Sequence, residues 1–385
     1  MYLQLLTAFS QKAPADTSGY ALRKLKVTEV NLVSSYYTQN GNHSAVTGGI
    51  GTEKLTDKGN TIELKLERSD QRNRQHRIQV ETEISHYTSA SSDKIDPSTI
   101  SSASYADTRL APSVSYSVHN PTTGFTLGAT ASYSKESDYV SRGMGVNVVK
   151  SSKDNNREFG IKLQAYLDRW RVFIPVELRP RNPDLRTNEP RNSFSASLTY
   201  SQVVNQRFQY TLLADVAAQK GLLGTSFHRV YFKSDVVDFE HLPQRRLKFP
   251  LGIKANYFLG DRFILRSFYR YYTDNWGVKA HTAELELPVK LNPYISISPF
   301  YRFYTQEAAR YFAVYKAHDP TSAYYTSDYD LSRFNSQFLG AGVRFTPAKG
   351  ILGIRQWSLL ELRYGHYTRS NGLNANIVSM NMRFK

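Results

Sequence analysis

The sequence predicts an all-β fold: a closed antiparallel transmembrane β-barrel of about sixteen strands, with long extracellular loops and short periplasmic turns. Three observations predict it. Apolar and polar residues alternate in runs of about eleven, the length a tilted strand needs to cross a bilayer. The connections between runs alternate between long and short. The chain is also rich in aromatic residues, with 27 Tyr and 20 Phe among 385 residues, which suits girdles at two membrane interfaces.

The alternation is clearest in Gln244–Thr305. Phe249, Leu251, Ile253, Ala255 and Tyr257 share one face of the first run, with Lys248, Gly252, Lys254 and Asn256 on the other. After Leu259-Gly260-Asp261, Phe263, Leu265, Tyr269 and Tyr271 oppose Arg262, Arg266 and Arg270. The next run sets Ala283, Leu285, Leu287 and Val289 against Thr282, Glu284, Glu286 and Lys290. The last sets Ile295, Ile297, Tyr301 and Phe303 against Ser296, Ser298 and Arg302. A soluble antiparallel sheet also alternates, but its loop lengths do not segregate in this way.

Composition excludes several classes. No run of eighteen apolar residues is present, so no transmembrane helix is expected, and no linker divides the chain. There is no Cys, hence no disulfide framework, thiol nucleophile or thiolate metal site. The formal net charge of +16 comes without a helix-turn-helix, RNP or zinc pattern, so nucleic acid is not the expected partner. Outer-membrane lipid headgroups and lipopolysaccharide phosphates are.

Taken in order, residues 1–10 read as the tail of a signal peptide, with a disordered terminus as the alternative, and 11–23 as a periplasmic segment. The barrel occupies 24–385. Its strand pairs fall near 26–37/59–68, 74–87/111–119, 122–133/141–150 and 156–168/193–204. The others fall near 206–217/247–258, 262–272/279–290, 294–304/335–346 and 356–367/375–384. Short connections at Ser69–Asn73, His119–Thr123, Asn205–Gln206, Leu259–Asp261 and Leu291–Pro293 would face the periplasm. Long ones at 38–58, 88–110, 169–192, 218–246 and 306–334 would face outward, which leaves both termini periplasmic. Val378, Met380, Met382 and Phe384 make an apolar terminal strand resembling the signal that barrel-assembly machinery recognises, although Lys385 follows the aromatic residue.

The alternation turns Glu63, Glu67, Glu81 and Glu83 inward on one side of the lumen. Lys254, Arg262, Arg266, Arg270 and Arg302, with Lys248, turn inward about half a circumference away. An acidic wall facing a basic wall would select small polar or anionic solutes, as in a porin-like conduit. Alternatively these charges pair with neighbours: Lys65 lies beside Glu63 and Glu67, and Glu284 and Glu286 beside Arg266 and Arg270. Thr126, Gly128, Thr130 and Ser132 leave space on one side.

The loops carry the second reading, a plugged barrel that docks an envelope protein partner or ligand. Its candidate residues are Ser104, Asp107, Arg109, His228, Arg229, Asp328 and Asp330. Asp93, Asp96 and Asp107, or Asp328 and Asp330, offer oxygens to calcium, but without EF-hand spacing, so no metal site or cofactor is assigned. Gly48-Gly49-Ile50-Gly51 lacks the Lys-Ser/Thr of a phosphate loop and reads as a turn. Arg179, Arg181, Arg186 and Arg191 form a basic stretch suited to lipopolysaccharide phosphates or to water. No catalytic residues are assigned. A rim hydrolase built on His86, His281 or His366 with Ser85, Thr282 or Ser370 lacks a nucleophile elbow. His228, Asp235, Asp238 and His241 lack protease spacing.

Several strings resemble a family of Gram-negative outer-membrane barrels of unknown function. They are AVTGGIGTEKLTD (Ala45–Asp57), SSASYADTR (Ser101–Arg109), SFHRVYF (Ser226–Phe232), GDRFILRSFYRYYTDNWG (Gly260–Gly277), PFYRFYTQEAARYF (Pro299–Phe312) and YYTSDYDLS (Tyr324–Ser332). The resemblance runs from about Lys24 onward. It implies the same barrel and location, with no established activity and no catalytic residues.

Overall fold

The computed structural model describes residues 24–88, 106–172, 175, 178 and 188–385. Its first nine strands are β1 (Lys26–Asn40), β2 (Leu55–Ser69), β3 (Gln75–Thr88), β4 (Ala106–Asn120), β5 (Phe125–Lys135), β6 (Tyr139–Ser151), β7 (Arg157–Arg171), β8 (Asn188–Asn205) and β9 (Phe208–Gly221). A small hairpin follows, β10 (Arg229–Tyr231) and β11 (Val237–Phe239). The wall resumes with β12 (Arg245–Leu259), β13 (Phe263–Asp274), β14 (Lys279–Glu286), β15 (Val289–Lys290), β16 (Ile295–Gln306), β17 (Phe334–Phe345), β18 (Trp357–Arg369) and β19 (Asn374–Phe384).

Neighbouring wall strands pair antiparallel, β9 pairs with β12 across the hairpin, and β1 pairs with β19 from Val30↔Phe384 to Asn40↔Asn374. The sheet therefore closes on itself and has no free edge. β14 and β15 are two pieces of one wall strand, so the wall has sixteen strands, as the alternation predicts. The sequence reading runs that strand unbroken through 279–290. The break falls at Leu287-Pro288, because proline has no N–H to give the ladder.

The predicted faces hold. β12 turns Leu247, Phe249, Leu251, Ile253, Tyr257 and Leu259 outward, all well exposed, and β5 does the same with Phe125, Leu127 and Tyr133. Leaving such side chains in water forgoes roughly 1.5–3 kcal/mol each, so a continuous belt of them requires a lipid solvent. Among the described residues, no cluster of buried apolar side chains fills the barrel interior. The buried apolar clusters lie instead among the loops: Leu223, Leu242 and Trp276 in one, and Val230, Phe232 and Tyr325 in the other.

Connection length segregates less regularly than predicted. At the loop end, 136–138, 275–278 and 370–373 are short, and at the turn end 346–356 is long. The predicted long connections 88–110 and 169–192 narrow to 89–105 and 172–187, because β4 and β8 extend further than their apolar rows. The polar residues at those strand ends still find ladder partners, as in Thr88↔Ala106 and Arg171↔Asn188.

Candidate functional site

Among the described residues, candidate sites lie on the lumen wall and in a cap of folded loops at one end. On the wall, β13, β14, β16, β17 and β18 alternate so that their charged residues face inward. Arg266 reaches Glu286 at 3.0 Å, and Arg363 reaches the other oxygen of Glu286 at 2.9 Å. Arg363 also reaches Glu361 at 3.2 Å, and Arg344 reaches Glu361 at 2.8 Å. Arg302 pairs with Glu284 at 2.7 Å. The same happens on the far side: Lys65 bridges Glu29 and Glu63 at 2.7 and 3.1 Å, and Arg77 holds Glu67 at 2.6 Å. Glu83 lies 3.7 Å from Arg109.

Most predicted lumen charges are thus joined in local pairs, and no wholly acidic wall opposes a wholly basic one. Arg262 departs from its predicted place. It lies in the turn between β12 and β13, beyond the wall, because the strand begins only at Phe263. Several inward cations, Arg270, Lys162, Lys254 and Lys248 among them, have no carboxylate within ion-pair distance among the described residues. Arg270 and Lys162 are exposed to the lumen, and Lys254 rests on the Phe268 ring at 5.8 Å. Glu81 likewise has no cationic partner there. Sequence reasoning picked out Arg270 and Lys254 but missed Lys162, which the parity of β7 places inward. It also missed Glu361 and Arg363, which the parity of β18 would have shown.

The lining is unequal in size. β4, β5, β6 and β8 turn Ser113, Ser115, Ser117, Gly128, Thr130, Ser132, Gly143, Gly145, Asn147, Ser193, Ser195 and Ser197 inward. Opposite them, β13 and β16–β18 present the Arg–Glu network together with Phe268, Phe300, Phe338 and Tyr367. Arg363 lies over Phe300 at 5.0 Å, and Arg302 over Phe338 at 5.4 Å. Among the described residues, the smaller inward side chains therefore fall on β4, β5, β6 and β8.

The cap is built from loops 41–54, 222–244, 275–278 and 307–333. Trp276 is buried at its base, where its Nε1 donates to the Arg245 carbonyl and Arg246 lies over its ring at 4.3 Å. The cap reaches lumen-facing wall residues. Gln306 donates to the carbonyls of Asp330 and Ser332, and Arg369 pairs with Asp330 at 2.7 Å. Gly48 and Gly49, at φ 78° and 84°, turn loop 41–54 back, and Arg229 Nη1 donates to the Val46 carbonyl at 3.0 Å. Gly48-Gly49-Ile50-Gly51 is thus a turn, as read. Burial, reinforced by Asp330 and Asp328, pushes the Glu53 carboxyl up to about 7.

Of the candidate loop residues, the cap brings His228, Arg229, Asp328 and Asp330 together. His228 Nδ1 lies 3.8 Å from Glu240 Oε2 and 3.9 Å from Asp328 Oδ2. Burial lowers the His228 pKa and raises that of Glu240, and burial with Asp330 pushes Asp328 up to about 7. Glu240 was not singled out from sequence, since nothing local distinguishes it. Asp107 and Arg109 lie apart, at the start of β4. There Asp107 accepts from Ser137 and gathers with Glu136 and Asp138. Ser104, Asp93, Asp96, Arg179, Arg181 and Arg186 lie outside the described residues, while Arg191 stands on β8, 5.4 Å over Trp170.

The hydrolase sets do not assemble. Ser85 faces inward and donates to Asp57, whereas His86 faces outward and bonds Thr108. His281 bonds Tyr269, His366 bonds Asn376, and Ser370 Oγ accepts from the Asn335 amide at 3.0 Å. Asp235 pairs with Lys316, and Asp238 accepts from Tyr325.

A closed wall, an apolar outer belt and a polar lumen define a membrane-spanning β-barrel of the outer-membrane type. The chain belongs to the family described as Protein of unknown function (DUF3570), whose model matches residues 73–371. Among solved structures it is similar to a BenF-like porin from Pseudomonas fluorescens Pf-5, at 10% identity, covering 92% of this chain and 98% of that one, with a TM-score of 0.44. It is also similar to OccK9 (OpdG) of Pseudomonas aeruginosa, at 9% identity, 94% and 98% coverage and a TM-score of 0.45. A third is OccK2 (OpdF) of Pseudomonas aeruginosa in complex with glucuronate, at 8% identity, 92% and 96% coverage and a TM-score of 0.42. No curated protein matches the sequence.

Proposed function

We propose that this barrel is a porin-like conduit for small polar or anionic solutes, lying in the bacterial outer membrane with its turns and termini in the periplasm. The unequal lining carries the reading. Small side chains along β4–β8 leave a polar lane, and a sixteen-stranded wall encloses an aqueous interior wherever side chains and loops do not fill it. Cations left over from the ion pairs, Arg270, Lys254 and Lys162 among them, tilt the lane toward anions. On this reading the exposed basic residues of the turn end, among them Arg72, Lys153, Arg207, Arg262 and Arg355, face headgroup phosphates.

The test is the reversal potential across a planar bilayer holding the purified barrel under a salt gradient. Wild type should prefer anions. Replacing Arg270, Lys254 and Lys162 together with Gln should lower that preference severalfold, while Arg302→Gln, which also frees Glu284, moves it less than the triple change. An unchanged reversal potential in the triple variant would remove these residues from selectivity.

The folded cap favours a second reading, a capped barrel whose loops receive an envelope protein or ligand. It predicts a silent bilayer from a folded barrel.

A further inference from the structure

We propose that His228, Glu240 and Asp328 bind one divalent transition cation, of the zinc or manganese class, which ties loop 222–244 to loop 307–333. The donor atoms of the three side chains all lie within 4.8 Å of one another. Tetrahedral ligands about 2 Å from zinc stand about 3.3 Å apart, so the two His228 separations, 3.8 Å to Glu240 and 3.9 Å to Asp328, close with shifts of roughly half an ångström. His228 Nδ1 is closed off from solvent and has no hydrogen-bond partner, although it faces two carboxylate oxygens. No Lys or Arg comes within ion-pair distance of Glu240 or Asp328 among the described residues, so a cation would supply the missing charge.

The surroundings hold the ligands in place. Glu240 Oε1 accepts from the Thr326 hydroxyl, and Asp328 Oδ1 accepts from the Asp330 amide at 2.9 Å, so each carboxylate is oriented by its other oxygen. Glu240 Oε2 also accepts from the Thr225 amide. The Glu240 amide donates to the His228 carbonyl at 2.8 Å, which continues the β10–β11 hairpin and fixes the spacing of two ligands. An imidazole nitrogen with two carboxylates suits zinc or manganese and not calcium, which takes oxygen ligands. His228 and Asp328 side chains keep 21% and 26% of their surface exposed, which leaves a route in. The cation would bind whether or not the lumen conducts.

The test uses the full chain without an affinity tag, purified in detergent, stripped with EDTA and titrated calorimetrically with zinc, manganese or calcium salts. The expected result is one equivalent of zinc or manganese, bound about tenfold or more tighter than calcium. His228→Ala and Asp328→Asn should each weaken it about tenfold or more, while heat-modifiable migration confirms that the barrel remains folded. Glu136→Gln, in the separate acidic cluster, should leave binding unchanged. The metal should also slow hydrogen exchange in both loops of wild type and not of Asp328→Asn. Stoichiometric binding absent from a folded barrel, calcium bound as tightly, or binding and protection indifferent to both ligand variants would each overturn the site.

Discussion

Glu286 holds Arg266 with one carboxylate oxygen and Arg363 with the other, and its side chain is 9% exposed, so one residue neutralises much of the basic wall. Arg266 and Arg363 are 43% and 30% exposed toward the lumen, so water screens their side of the pairs. Glu286→Gln should therefore cost about 1–2 kcal/mol, less than breaking a dry ion pair, read as a lower urea midpoint for the barrel in detergent. The same change frees two guanidinium groups and should raise the anion preference in the bilayer, opposite in sign to neutralising Arg270. A lowered preference would show that these arginines do not face the conducting path.

Among the elements, wall and cap differ in how much the sequence could reveal. Wall strands were legible because parity needs only neighbours in the chain: Leu251 and Ile253 outward imply Gly252 and Lys254 inward. Parity fails where the backbone breaks rule, as at Pro288, and at strand ends, where Arg262 falls into a turn. The inward positions were legible but their partners were not, since Arg363 meets Glu286 across 77 residues of chain. The cap was hidden for the same reason, with Arg229 bonding Val46 across 183 residues. Its stability rests on Trp276, packed with Leu223, Leu242, Tyr311 and Leu331. Trp276→Ala should remove about 3–5 kcal/mol of packing from the cap. Limited proteolysis should then cut within 222–244 and 307–333, while the thermal transition of the wall stays in place. If the wall transition fell with the cap, the two would form one cooperative unit.

At the scale of the whole molecule, a closed wall fixes where everything else goes. With no free edge, the sheet satisfies its backbone in lipid, its outward rows take the bilayer, and its ion pairs gather in the lumen and at the two ends. The central claim is that solute passes along the small-residue side of that lumen. Because the chain contains no Cys, a single introduced thiol reports on one position alone. The most direct test is Ser195→Cys in a planar bilayer, treated during recording with a small, charged, membrane-impermeant thiol reagent. The account predicts stepwise loss of current in the variant and none in the cysteine-free protein. A variant that is fully labelled yet conducts as before would contradict it.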